Sequence, residues 1–132
     1  MKLSDFIEVY QNDPYVHTLA QYCKKKGNSV LLKGIVGSLD AVLASVVSKT
    51  NSSTQLVIAE DKEQAFYVYT DFLNLRVGAE VLMFPSSYKK AYQYEAVENA
   101  NILQRAEVLN KLSSDLNSQY IIVTYPEALS EK

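Results

Sequence analysis

The stretch "LLKGIVGSLDAVL", residues 31–43, decides how the chain is read. An apolar run ends at Gly34, Gly37 follows, and an apolar helical period opens after Ser38. Strand, glycine turn and helix start, in that order, make the layout of a phosphate-binding loop. In such a loop backbone amides wrap the phosphate and the helix N-terminus adds partial positive charge. The form G-x-x-x-x-G-K-[ST] asks for glycine, lysine and a hydroxyl where this chain has Leu39, Asp40 and Ala41. The lysine matters most, because it neutralises the terminal phosphates. Two unit charges about 4 Å apart interact by roughly 4 kcal/mol at an effective dielectric near 20, so exchanging attraction for repulsion costs about 8 kcal/mol, or about 4 after halving for solvent. That is about a thousandfold in affinity. Leu39 adds a Cβ where phosphate approaches, and Ala41 lacks the hydroxyl that holds Mg²⁺. An aspartate in the first turn of a helix, by contrast, suits an empty loop. On pattern alone, the same residues also make a plain strand-to-helix turn with no phosphate ancestry.

Outward from this turn, short apolar runs alternate with segments of helical period. Strands are predicted at 29–33, 55–59, 80–84 and 120–124, and helices at 38–50, 61–75 and 99–114. "QLVIA" and "YIIVT" show no polar alternation, as expected of strands buried on both faces. The alternation predicts an α/β fold, a three-layer, mostly parallel sheet with helices on both faces. Upstream, "LSDFIEVYQ" reads as a short amphipathic helix. Asp13 and Pro14 open a second one, whose apolar stripe is Val16, Leu19, Ala20 and Cys23 and which Gly27 stops after Lys24, Lys25 and Lys26. Residues 85–98 fit a helical turn, a loop or both. At the end, "PEALSEK" reads as the first turn of a helix leading elsewhere, so a truncated piece of a longer chain is expected.

The composition suits one domain: 132 residues, 48% hydrophobic and 21% charged. A formal net charge of −2 argues against a surface built to grip phosphodiester backbones. Cys23 is the only cysteine, which excludes an internal disulfide and suits a reducing cytoplasm. No run approaches the roughly 20 apolar residues that span a bilayer.

In order, "LLKGIVGSLDAVLASVV", "QLVIAEDKEQAFYVYTDFLNL", "VLMFPSSYKKAYQYE", "ILQRAEVLNKL" and "YIIVTYPEAL" resemble the N-terminal region of bacterial transcription-repair coupling factors. The likeness runs from about Leu31 to Leu129. It rests on the G-x-x-G-S turn, the Asp-x-x-x-Ala helix at 61–65, "FP" at 84–85, "YE" at 94–95, and Ile102 with Arg105. The resemblance implies a P-loop, helicase-like (RecA-like) domain similar to part of UvrB, with a degenerate Walker A turn over Gly34, Gly37, Ser38, Leu39, Asp40 and Ala41. Residues 1–28 are then helices packing on that domain, and 29–132 the domain itself. The family's whole protein displaces stalled RNA polymerase, translocates on DNA by hydrolysing ATP and recruits nucleotide excision repair. The resemblance places those activities in other domains and the UvrA surface in an adjacent one. For this chain it implies a non-catalytic structural and docking module without cofactor. UvrB-like sequences carry a DNA-gripping aromatic hairpin near the region matching 85–100, for which the segment here is too short.

Other candidates carry alternatives. Tyr88, Tyr92 and Tyr94 beside Lys89 and Lys90 combine rings and positive charge, a mix that stacks single-stranded bases or covers a sheet edge. Arg105 is positioned to pair with Glu95 or Glu98 and fasten the loop to its helix, or to contact phosphate. His17 stands alone, which excludes a histidine metal cluster, and Cys23 is expected in the core. Lys24–Lys26 read as a solvated helix end or a nucleic-acid patch. Two rival functions follow: an NTPase in which Lys33 replaces the missing lysine, and a small single-strand nucleic-acid binder.

Overall fold

The structure, a computed structural model, describes residues 1–75, 78–87, 95–115 and 117–131, with side chains throughout except at 95–98. Two N-terminal helices come first. In α1 (Leu3–Gln11) the Asp5 carboxylate accepts the Lys2 N–H at 3.0 Å. In α2 (Pro14–Lys24) the Asp13 carboxylate accepts the Tyr15 and Val16 N–H groups at 2.8 and 3.2 Å, ahead of Pro14 in the first turn. These bonds satisfy amides that have no partner within a helix.

α3 (Leu39–Asn51) leads through three residues to β1 (Gln55–Ile58), then α4 (Lys62–Leu75), β2 (Glu80–Met83), α5 (Glu95–Ser114), β3 (Tyr120–Thr124) and the single turn α6 (Pro126–Leu129). The three strands form one parallel sheet in the order β1-β3-β2, with Val57 and Met83 both in register with Val123. The last strand enters between the first two, and every residue of "YIIVT" is buried. This is an α/β fold with a small parallel sheet and helices on both of its faces.

Alternation along β3 sorts the two faces. Ile121 and Val123 pack with Ala41 of α3 and Ala65 and Phe72 of α4. Tyr120 and Ile122 point the other way, with Leu82, onto Val108 of α5. On its outer side α3 meets α1 and α2 through Leu43, Val46 and Val16, with Ile7 and Tyr10 beside them. Helices on one side and the sheet on the other leave α3 buried almost all round, which is why its sequence lacks a clear polar face.

Two expectations fail. Residues 29–33 join no strand ladder, and Leu31 is 79% exposed. An apolar run has strand composition, but only a neighbour with matching backbone groups makes it a strand. Cys23 is exposed rather than core. The helix is held by Val16 and Ala20, and the Ala20 carbonyl accepts from Asn51 Nδ2, at the last residue of α3, at 3.0 Å. The turn carrying Cys23 runs beyond that contact.

Candidate functional site

The glycine turn keeps part of its expected geometry. Gly34 and Gly37 have φ of +77° and +61°, a region glycine enters without Cβ strain. Ser38 precedes α3, but its side chain makes no capping bond. The anion at this helix start is internal: the Asp40 carboxylate accepts the Ala41 N–H at 2.7 Å. Asp40 itself is exposed, while Leu39 is half-buried against Leu43 and Val46. Ala41 is 1% exposed and faces Ile121 and Val123, so this position is turned to the sheet rather than to the turn. A hydroxyl added there meets apolar core. Lys33 is exposed, within the segment that joins no ladder.

A second cluster lies at the carboxyl ends of β2 and β3. The connection after β1 runs along the Ile121 face as α4, whereas the one after β2 leads to α5 on the opposite face. Helices leaving to opposite faces open a crevice at the strand ends, the usual place for ligands in open α/β sheets. Here residues 84–87 have backbone groups held from three elements. The Phe84 carbonyl accepts from Thr124 Oγ1 at 2.9 Å, and Arg105 Nη1 donates to the Pro85 carbonyl at 2.9 Å. The Ser86 N–H donates to the Tyr125 hydroxyl at 2.8 Å and its carbonyl accepts from Asn101 Nδ2 at 3.0 Å. Glu131 accepts the Ser87 N–H at 3.1 Å and both serine hydroxyls. Arg105 also donates to the Ala128 carbonyl at 2.9 Å, lies 3.6 Å from Glu131 and sits over the Phe84 ring. Burial of Tyr125 pushes its phenol above the ordinary tyrosine range, the Ser86 N–H opposing this.

Arg105 therefore fastens the chain after β2 to its own helix through carbonyls, together with the turn of α6. The Glu95 and Glu98 side chains lie outside the described residues, as do Tyr88, Lys89, Lys90, Tyr92 and Tyr94. Ser86, Ser87, Tyr125 and Glu131 were not legible as a cluster, because they come from segments about 40 residues apart with no shared motif. Beside them opens a cavity of about 610 Å³, bounded by Phe66, Tyr67, Tyr69 and Tyr125 with Asn101 and Gln104 of α5.

The remaining candidates stay apart from this cluster. His17 is exposed and shares a 3.1 Å hydrogen bond with Gln21. Lys24 to Lys26 are exposed at the end of α2. Among the described residues no group of three or more His, Cys, Asp or Glu is placed to hold a metal, and no helix is long and apolar enough to cross a membrane.

Fold and site together define an α/β domain with parallel strands, a glycine turn whose helix start carries its own carboxylate, and a clamped crevice at the strand ends. Comparison with protein-family models, with curated proteins and with solved structures returned no match.

Proposed function

We propose that the chain is a non-catalytic structural and docking module with a degenerate P-loop, helicase-like fold, of the kind its sequence resembles at the N-terminus of transcription-repair coupling factors. One observation carries the reading: the Asp40 carboxylate takes the Ala41 N–H at the start of α3, while Ala41 itself faces the core. A bound polyphosphate needs that amide, a cation at position 40 and a polar group at position 41. Here the amide has an internal acceptor, position 40 is anionic and position 41 is an alanine buried in the core. The parallel sheet with helices on both faces is compatible with a helicase-like domain. Contacts with UvrA, RNA polymerase and DNA then belong to the whole protein, and this domain supplies a rigid body for its neighbours. Titration calorimetry with Mg-ATP is expected to give no saturable heat. Binding in the micromolar range rejects the reading.

The tyrosine-lined cavity favours a second reading, a single-strand nucleic-acid binder, since stacked rings accept any base. Such binding weakens steeply with salt. Absence of single-strand binding at low salt removes it.

A further inference from the structure

A cavity of about 510 Å³ lies apart from the strand ends, where the start of α1, the second half of α3 and the end of α4 meet. Its floor is apolar. Ile7 and Leu75 are half-buried there, and Ser45 is 2% exposed. The Ser45 hydroxyl donates to the Ala41 carbonyl at 2.6 Å, so its proton asks nothing of an occupant. Leu3, the first residue of α1, adds apolar surface nearer the mouth.

The rim carries charge of one sign. Exposed Lys2 and Lys49 both line the cavity and no Asp or Glu does, and among the described residues neither lysine makes an ion pair. The carboxylate nearest in sequence, Asp5, is committed to the helix start, where it accepts the Lys2 N–H at 3.0 Å and the Ser4 hydroxyl at 3.2 Å. In a chain of net charge −2, two cations over an apolar floor are a local departure. Like charges at one cavity repel, and an anion between them turns repulsion into attraction. The floor, in turn, gains by being covered from water.

These two halves sort the classes of ligand. A bare phosphate answers the lysines and leaves the floor wet. A neutral hydrocarbon covers the floor and leaves the cations unanswered. An ion with an apolar tail uses both, and small-molecule sites of about 300–1,000 Å³ commonly combine apolar walls with a few polar groups that fix orientation. Lys49 stands one turn of α3, about 6 Å, beyond Ser45, so head and tail end are separated by a run of methylenes.

We propose that this cavity binds a single-chain aliphatic carboxylate of medium length, its head between Lys2 and Lys49 and its tail against Leu3, Ile7 and Leu75. The site is separate from the glycine turn and from the tyrosine-lined cavity, and the inference does not depend on the docking reading.

Methyl NMR of the full chain, titrated with octanoate, tests it. Saturable shifts are expected at Leu3, Ile7 and Leu75 but not at exposed Leu103 of α5, with a Kd below about 1 mM. Each methylene removed from octanoate should weaken binding about two- to fourfold. Octan-1-ol, with the same tail and no charge, should bind at least about fivefold more weakly. Combining Lys2→Gln with Lys49→Gln should lower octanoate affinity about tenfold and leave that of octan-1-ol unchanged. Absence of saturation, equal shifts at Leu103, equal affinity of acid and alcohol, or indifference to chain length overturns the proposal. So does an octanoate affinity unmoved by the double substitution, or inorganic phosphate saturating the same methyls as well as octanoate. Sedimentation with phosphatidylglycerol vesicles that octanoate fails to displace assigns the lysines to a bilayer surface and overturns it too.

Discussion

The Arg105 guanidinium carbon lies 4.2 Å from the centroid of the Phe84 ring, while its Nη1 donates to the carbonyls of both Pro85 and Ala128. One planar cation thus joins the end of β2, α5 and α6. A lysine offers a compact point charge without the plane that lies over the ring.

From this, Arg105→Ala is expected to destabilise the domain by about 2–4 kcal/mol, combining charged hydrogen bonds of about 1.5–3 kcal/mol with a ring contact of about 0.5–1 kcal/mol. Arg105→Lys should recover less than half of that. Urea denaturation of the two variants measures the difference, and equal stability of Lys and Arg refutes the clamp.

Phe72 is 1% exposed between α4 and the sheet. Phe72→Ala is expected to cost about 3–5 kcal/mol, through lost burial and the cavity left behind. Leu103→Ala, at an exposed position of α5, should change stability by less than about 0.5 kcal/mol. Comparable losses at the two sites contradict the assigned core.

Position 40 separates charge from geometry at the glycine turn. Asp40→Asn removes a carboxylate from the first turn of α3 and should cost about 0.3–1 kcal/mol. Asp40→Lys supplies the missing cation but leaves Ala41 buried and 29–33 outside the sheet. Calorimetry is expected to detect no Mg-ATP binding in that variant. A gain of binding from the single change places the defect in charge alone.

Tyr125 gives a pH dependence at the alkaline end. Burial raises its phenol in the folded state above the ordinary tyrosine value of about 10. Above that value the unfolded chain releases this proton while the folded chain keeps it. The contribution is therefore complete below pH 10 and declines as pH rises toward the folded value. Denaturation at pH 9 and pH 11 should show a larger loss for the natural protein than for Tyr125→Phe, which also forfeits the bond from the Ser86 N–H. Parallel losses exclude Tyr125 as the source.

At the turn after α5 the Ser118 hydroxyl, chiefly, holds the Asp115 carboxyl below the usual aspartate range, helped by the N–H groups of Asn117 and Ser118 against desolvation. Ser118→Ala is expected to raise the Asp115 titration midpoint in an NMR titration. Because the folded value is the lower one, this stabilisation exists above the ordinary aspartate range and disappears as the solution is acidified through the folded value. An unchanged midpoint in Ser118→Ala disproves the assignment.

Much of the secondary structure was legible because local chemistry encodes it. Asp13 with Pro14 starts α2, the apolar runs at 55–59, 80–84 and 120–124 become β1, β2 and β3, and period alone locates α3 and α4. The acidic first turn of α3, with Asp40 between Leu39 and Ala41, was likewise legible from the chain alone. What sequence left undetermined is which apolar runs find neighbours. "SVLLK" and "YIIVT" look alike, yet one joins no ladder and the other is the buried centre of the sheet, because pairing depends on a backbone brought alongside by distant segments. Only the fold could turn Ala41 to the core, leave Cys23 past the end of its support, or bring Glu131 to Ser86 and Ser87. Periodicity records a side chain's neighbours within one element. Its partners across elements follow from the relative placement of those elements, which no local pattern contains.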